Sequence, residues 1–156
     1  PFKRLFELYK DEKNVQIINY AISTENGVAT FYESGSLIKD TDCGLVSSII
    51  PTETERWRKA GTQFTSYSVE CKTFETLFGK ENINLIEDDI KFDFISIDIE
   101  GMDYQILTQI DLGKYSCKCL CVEFNGIDKQ KYVDYAGSFG MVLIHENPEN
   151  LIFVKK

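Results

Sequence analysis

The chain has 156 residues, 43% of them apolar and 27% charged, a balance that fits one globular domain with a real core and not a disordered segment. Its 25 acidic side chains against 17 basic ones leave a net charge of -8, and no Lys/Arg run exceeds two residues, which argues against a protein that tracks nucleic-acid phosphates. No apolar stretch approaches the roughly 20 residues that span a bilayer. The expected setting is therefore cytoplasmic, with neither nucleic acid nor membrane as partner.

Pro1 stands where an initiator Met would, so the chain reads as cut, by processing or by design, with any targeting segment upstream. Residues 2–10 place Phe2, Leu5, Phe6, Leu8 and Tyr9 at helical spacing with charges between them, which predicts an amphipathic helix. Val15 to Ile22 reads as a largely buried strand, Glu25-Asn26-Gly27 as a turn, and Val28 to Tyr32 as a second strand that returns as a short hairpin. Residues 33–62 are polar and punctuated by Gly35, Gly44, Pro51 and Gly61, and a loop of that length is usually functional or mobile. Within it, Glu53 to Lys59 reads as a short helix carrying Trp57. Gln63 to Cys71 is strand-like, and Thr73 caps a brief helix, Phe74 to Phe78, that Gly79 ends.

Phe92 to Ile99, rich in aromatic and β-branched residues, is the strongest strand signal. Met102 to Ile110 follows as a helix, Cys117 to Phe124 as a strand, Asp128 to Phe139 as a helix, Gly140 to His145 as a strand and Leu151 to Val154 as the last strand. This alternation predicts an α/β domain with a mostly parallel sheet. The short Asn147-Pro148-Glu149-Asn150 turn adds an antiparallel strand pair at its C-terminal end. Five cysteines is an odd number for a disulfide framework. Cys117, Cys119 and Cys121 alternate along a strand, unlike zinc ligands spaced on a turn, so they read as small core residues in a reducing compartment.

In open α/β sheets, ligands bind outside the carboxyl ends of the strands. Two acidic exits stand there, Asp98-Ile99-Glu100-Gly101 and Glu123-Phe124-Asn125-Gly126. Asp98 and Glu100 share one face of their strand, and converging carboxylates suit a general base or a divalent ion, which prefers oxygen ligands. The same acids would equally cap the helices that follow them, and spacing alone leaves both readings open. His145 is the only histidine, near a strand end beside Glu146; a lone histidine is more often a surface or packing residue. Trp57, with Arg56 and Arg58, reads as a loop anchor or the rim of a substrate mouth. Gly-rich phosphate loops, serine-nucleophile elbows and His-rich metal helices have no match in the sequence.

The segment Phe92-Asp93-Phe94-Ile95-Ser96-Ile97-Asp98-Ile99-Glu100-Gly101 resembles the FkbM family of S-adenosylmethionine-dependent methyltransferases. The likeness extends to Asn19-Tyr20-Ala21-Ile22-Ser23 with Gly27 and Phe31-Tyr32, to Val69–Leu77, to Cys121-Val122-Glu123 and to the closing Asn150–Val154, all in the family's order. It implies a class I methyltransferase, Rossmann-like sheet in a single domain over 1–156, with the first strands and the Gly-rich cofactor loop expected before Pro1. It implies S-adenosyl-L-methionine as cofactor, with Ala21, Ile22 and Ser23 beside the adenine and Asp98 and Glu100 next to the methionine end and the acceptor hydroxyl. Some related O-methyltransferases hold a divalent ion with acids at the ends of the fourth and fifth strands, and Asp98, Glu123 and Asn125 occupy comparable places; a divalent metal is possible here but not expected. The implied activity is O-methyl transfer to a sugar or polyketide-like hydroxyl, incomplete in this chain. The alternatives are a carboxylate-metal glycosyltransferase-like enzyme and a non-enzymatic remnant whose bare sheet edge pairs with another chain, a homo-oligomer included.

Overall fold

A computed structural model describes residues 2–35, 44–79 and 90–156, which form two mixed sheets and five helices. The amphipathic spacing at the start gives α1 (Phe2–Tyr9), none of whose residues is buried; Leu8 is 69% exposed. The first sheet comprises β1 (Ala21–Ile22), β2 (Gly27–Ser34) and β3 (Phe64–Lys72), in the order β1-β3-β2. The long first strand expected over 15–22 is shortened to two residues, because only Ala21 and Ile22 find ladder partners, Cys71 and Lys72. The hairpin expected between the first two strands is also corrected. All eight residues of β2 pair antiparallel with β3 instead, so β3 lies between β1 and β2.

Between β2 and β3 runs α2 (Pro51–Lys59), begun by a proline whose fixed φ and missing N–H suit a first helical turn. The expected loop over 33–62 falls partly on residues 36–43, outside the described residues. After β3, the Thr73 hydroxyl accepts the Thr76 N–H at 3.1 Å and starts α3 (Phe74–Phe78) as its sequence predicts.

The second sheet contains β4 (Phe94–Ile97), β5 (Cys119–Glu123), β6 (Met141–Glu146) and β7 (Asn150–Lys155), with α4 (Asp103–Leu107) and α5 (Lys129–Ser138) between its strands. Its order is β4-β5-β7-β6. Each element lies where the sequence places it, within a few residues at the ends. The mostly parallel sheet does not hold: β4 and β5 are parallel, but β7 runs antiparallel to both β5 and β6. The cause is the tight turn at 147–150, where Asn147 accepts the backbone N–H groups of Glu149 and Asn150 and reverses the chain at once. The antiparallel C-terminal pair is present as expected.

The core lies on one face of this sheet. Ile97, Leu120, Val122, Leu151 and Phe153 join Leu107, Ile110, Tyr132 and Ala136 in one cluster, extended by Phe74 and Tyr115. The opposite face is partly bare, with Phe94 57% exposed and Ser96 and Asp98 exposed. Of the four cysteines among the described residues, Cys117 and Cys71 are buried and Cys119 and Cys121 half-buried, and all four are free thiols.

Phe153→Ala removes a ring from the centre of the core and is expected to cost about 3–5 kcal/mol, whereas Leu8→Ala on the exposed face of α1 should stay within about 0.5 kcal/mol. Urea denaturation of the two variants checks both.

Candidate functional site: three carboxylates at the strand ends

The site is built by a backbone turn. Beyond Ile97 the chain leaves β4 through Asp98 and Ile99, then passes through two residues of positive φ, Glu100 at +53° and Gly101 at +115°. A glutamate in this region is strained, and Gly101 has no side chain to obstruct its turn. A Cβ at Gly101 would stand 2.5 Å from Cγ of Glu53, so α2 packs directly on the turn. Asp103, buried at the start of α4, holds the turn from below: its two carboxylate oxygens accept the N–H groups of Ile99 at 3.0 Å and Gly101 at 3.3 Å. From the other side the Ser48 hydroxyl donates to the Glu100 carbonyl at 2.6 Å and accepts the Ile50 N–H at 3.0 Å.

The neighbouring strand ends in a similar way. β5 closes at Glu123, and the chain then turns through Asn125 and Gly126 at φ +49° and +68°. Phe124 and Asn125 both donate their N–H to the Glu149 carbonyl, fixing this exit against the β6–β7 turn. Because β4 and β5 are parallel and in register, both exits open on the same edge. One carboxylate oxygen from each of Asp98, Glu100 and Glu123 lies within 4.8 Å of the others. Asp98 is exposed, Glu100 half-buried and Glu123 buried.

Crowding shows in their proton affinities. Burial, then the charge of Asp98, raises the Glu100 carboxyl to about 7, against a smaller opposing pull from Arg56. Burial raises Glu123 to about 7 as well, with Asp98, Glu100 and Asp103 adding repulsion and a hydrogen bond with Asn125 opposing it. Asp103 is raised by burial, against the two backbone N–H groups it accepts. Tyr132, packed nearby, is pushed up to about 12 by burial and by the charges of Asp103 and Glu123.

The sequence singled out Asp98 and Glu100, and the structure brings them together with Glu123. Glu123 was read from the sequence as the second acidic exit and, with Asp98 and Asn125, as a possible place for an ion, not as a catalytic residue; its convergence with Asp98 and Glu100 follows from the β4–β5 register. Asp103 gave no signal beyond being an acid at a helix start. His145 is exposed on β6 opposite Ile152, two strands from β5, and is not in the cluster. Trp57 is half-buried with the Arg56 guanidinium 4.8 Å from its ring centre. Ala21, Ile22 and Ser23 lie at the end of β1. Ala21 lines an open cleft of about 530 Å³ with Tyr20, Phe31, Tyr67 and Val69, Ile22 packs on the core, and Ser23 is buried, its N–H donating to the Lys72 carbonyl.

Compared with known proteins, residues 1–143 match the family model of the methyltransferase FkbM domain. No curated protein and no solved structure matches the chain.

The raised carboxyls set a pH dependence. Below about 4.5 both are protonated whether folded or not; between there and about 7 the folded chain binds more protons, so stability falls as pH rises through that window. Thermal melts in a chelating buffer should therefore show a lower Tm at pH 8 than at pH 5. Glu123→Gln should raise Tm by about 2–4 °C at pH 8 and have little effect at pH 5.

Proposed function

The chain belongs to the methyltransferase FkbM domain family, and from that membership we propose that it serves S-adenosyl-L-methionine-dependent methyl transfer to a hydroxyl group of a small molecule. Family membership over residues 1–143 carries the methyl-transfer part of this reading. Supporting the hydroxyl acceptor is the pair of carboxylates, Asp98 and Glu100, at the open end of β4. In such a transfer the acceptor oxygen attacks the sulfonium methyl carbon in line, the carbon–sulfur bond breaks, S-adenosylhomocysteine leaves, and the hydroxyl proton must go to a nearby base. A carboxylate with a raised proton affinity is suited to that last task near neutral pH. The rest is positioning of methyl and oxygen.

Asp98 is assigned to the methionine end of the cofactor as well as to the acceptor side, and Glu100 to the acceptor side. Ala21, Ile22 and Ser23 are assigned to the adenine. The apolar wall of the cleft at Ala21, with Tyr20, Phe31 and Tyr67, suits a flat aromatic ring. Helix α2, with Trp57, Arg56 and Glu53 beside the Glu100–Gly101 turn, is assigned to the acceptor's cover. The sugar or polyketide-like character of the acceptor rests on the family likeness alone.

Isothermal titration of S-adenosylhomocysteine tests the cofactor. The expected result is one-to-one binding, weakened by Asp98→Asn. Absence of binding, both in this chain and in a longer form carrying sequence before Pro1, overturns the reading. With labelled S-adenosylmethionine and a hydroxyl acceptor, Glu100→Gln should slow methyl transfer by about 100-fold or more while leaving S-adenosylhomocysteine affinity nearly unchanged.

A further inference from the structure

One oxygen in the strand-end cluster lacks any counterpart. Glu123 is 8% exposed, and its Oε2 is buried without a hydrogen-bond partner. Leaving a buried carboxylate oxygen unpaired costs free energy, and charged groups cost the most. The usual remedies are a cation, a proton or a donor. Among the described residues no Lys or Arg forms an ion pair with Asp98, Glu100 or Glu123; the described ion pairs all lie elsewhere. Asn125 hydrogen-bonds the Glu123 carboxylate but leaves Oε2 without a partner, and the other two carboxylates, which bring an oxygen within 4.8 Å of this group, only accept.

We propose that Asp98, Glu100 and Glu123 form a binding site for one hard divalent cation, of the calcium or manganese kind. The donors are all oxygen, which selects against softer metals that favour thiolate or imidazole. Two oxygens on opposite sides of an ion bound at about 2.4 Å stand about 4.8 Å apart, so one ion can reach all three carboxylates with little movement of the chain. Calcium accepts such loose, carboxylate-rich geometry more readily than magnesium, which demands a tighter octahedron. Three negative charges on one divalent ion leave a small net negative charge, and an ion in this place would offset the burial of a Glu123 carboxylate that has one oxygen without a partner. The exposed edge beside Asp98 leaves coordination positions open to water or to an acceptor oxygen. Each carboxylate needs to give only one oxygen, so the second oxygen of Glu100 stays available as a proton acceptor.

The proposal does not rest on methyl transfer: a cation can fill this site whether or not S-adenosylmethionine binds. Room-temperature paramagnetic resonance of manganese(II), titrated with the protein in the absence of cofactor, reads the site directly, since the free-ion signal falls on binding. The expected result is one manganese per chain, a dissociation constant below about 1 mM, and displacement by calcium. Asp98→Asn, an exposed change that leaves the core untouched, should weaken binding at least about 10-fold, as should Glu123→Gln. If Glu123→Gln does not fold, as judged by circular dichroism, Asp98→Asn and Glu100→Gln decide the matter. No saturable binding at about 1 mM, or the same binding in wild type and in Asp98→Asn, overturns the proposal and leaves only a diffuse counter-ion atmosphere around an acidic protein. Failure of S-adenosylhomocysteine to bind leaves this result standing, and the reverse also holds.

Discussion

Three carboxylates within 4.8 Å of one another repel, and the backbone between β4 and α4 is what keeps them together. Asp103 is the clamp: with both oxygens on the N–H groups of Ile99 and Gly101, it fixes a turn in which Glu100 occupies the left-handed region that a glutamate rarely enters. Ser48 holds the same turn through the Glu100 carbonyl, and Glu53 fills the space against Gly101. The geometry of the site is thus set by contacts to the main chain of Ile99, Glu100 and Gly101, not by contacts to the carboxylates themselves. The strain is borne by a segment anchored at one end in β4 and at the other in the buried residues Met102, Ile106 and Leu107.

A second tie joins the two sheets. Gln109, just beyond α4, accepts the Phe74 N–H with Oε1 and donates from Nε2 to the Ser23 carbonyl, both at 3.0 Å. One side chain therefore binds the start of α3 and the end of β1 to the helix that follows the carboxylate turn. Asn26 adds a parallel link by accepting the Thr73 N–H. Through Gln109 the end of β1, which carries the residues proposed for the adenine, is tied to the segment after α4, close in sequence to the carboxylate turn.

Much of this was legible in the sequence where one local force decides the outcome. Thr73 followed by Phe74-Glu75-Thr76 announces a cap and a helix because the cap is a contact between near neighbours. The Asp98-Ile99-Glu100-Gly101 exit announces a turn because glycine is needed there. Alternating Leu120, Val122, Leu151 and Phe153 mark strands with one face in the core. What failed was pairing. Val15 to Tyr20 carry strand-forming residues but no ladder partner, and β2 chose β3, whose paired residues lie thirty or more positions away, over its neighbour. Strand partners and direction depend on contacts distant in sequence, and no property of Val28 or Phe31 alone names Glu70 or Tyr67 as its neighbour. Glu123 was legible as the second acidic exit and, with Asp98 and Asn125, as a place for an ion, but its convergence with both Asp98 and Glu100 exists only through the β4–β5 register.

The place of β7 has a consequence for how the chain is made. It lies between β5 and β6, contributes Leu151 and Phe153 to the centre of the core, and is synthesised after both of the strands it joins. While residues 150–155 are still inside the exit tunnel, β6 has no strand to join and β5 has one side open. The second sheet therefore closes only after translation of its final segment, and a nascent chain stalled shortly before that point carries its two apolar halves unjoined. Such an intermediate is what chaperones bind and proteases cut. Loss of residues 150–155 alone would part β6 from β5 and take Leu151 and Phe153 out of the core.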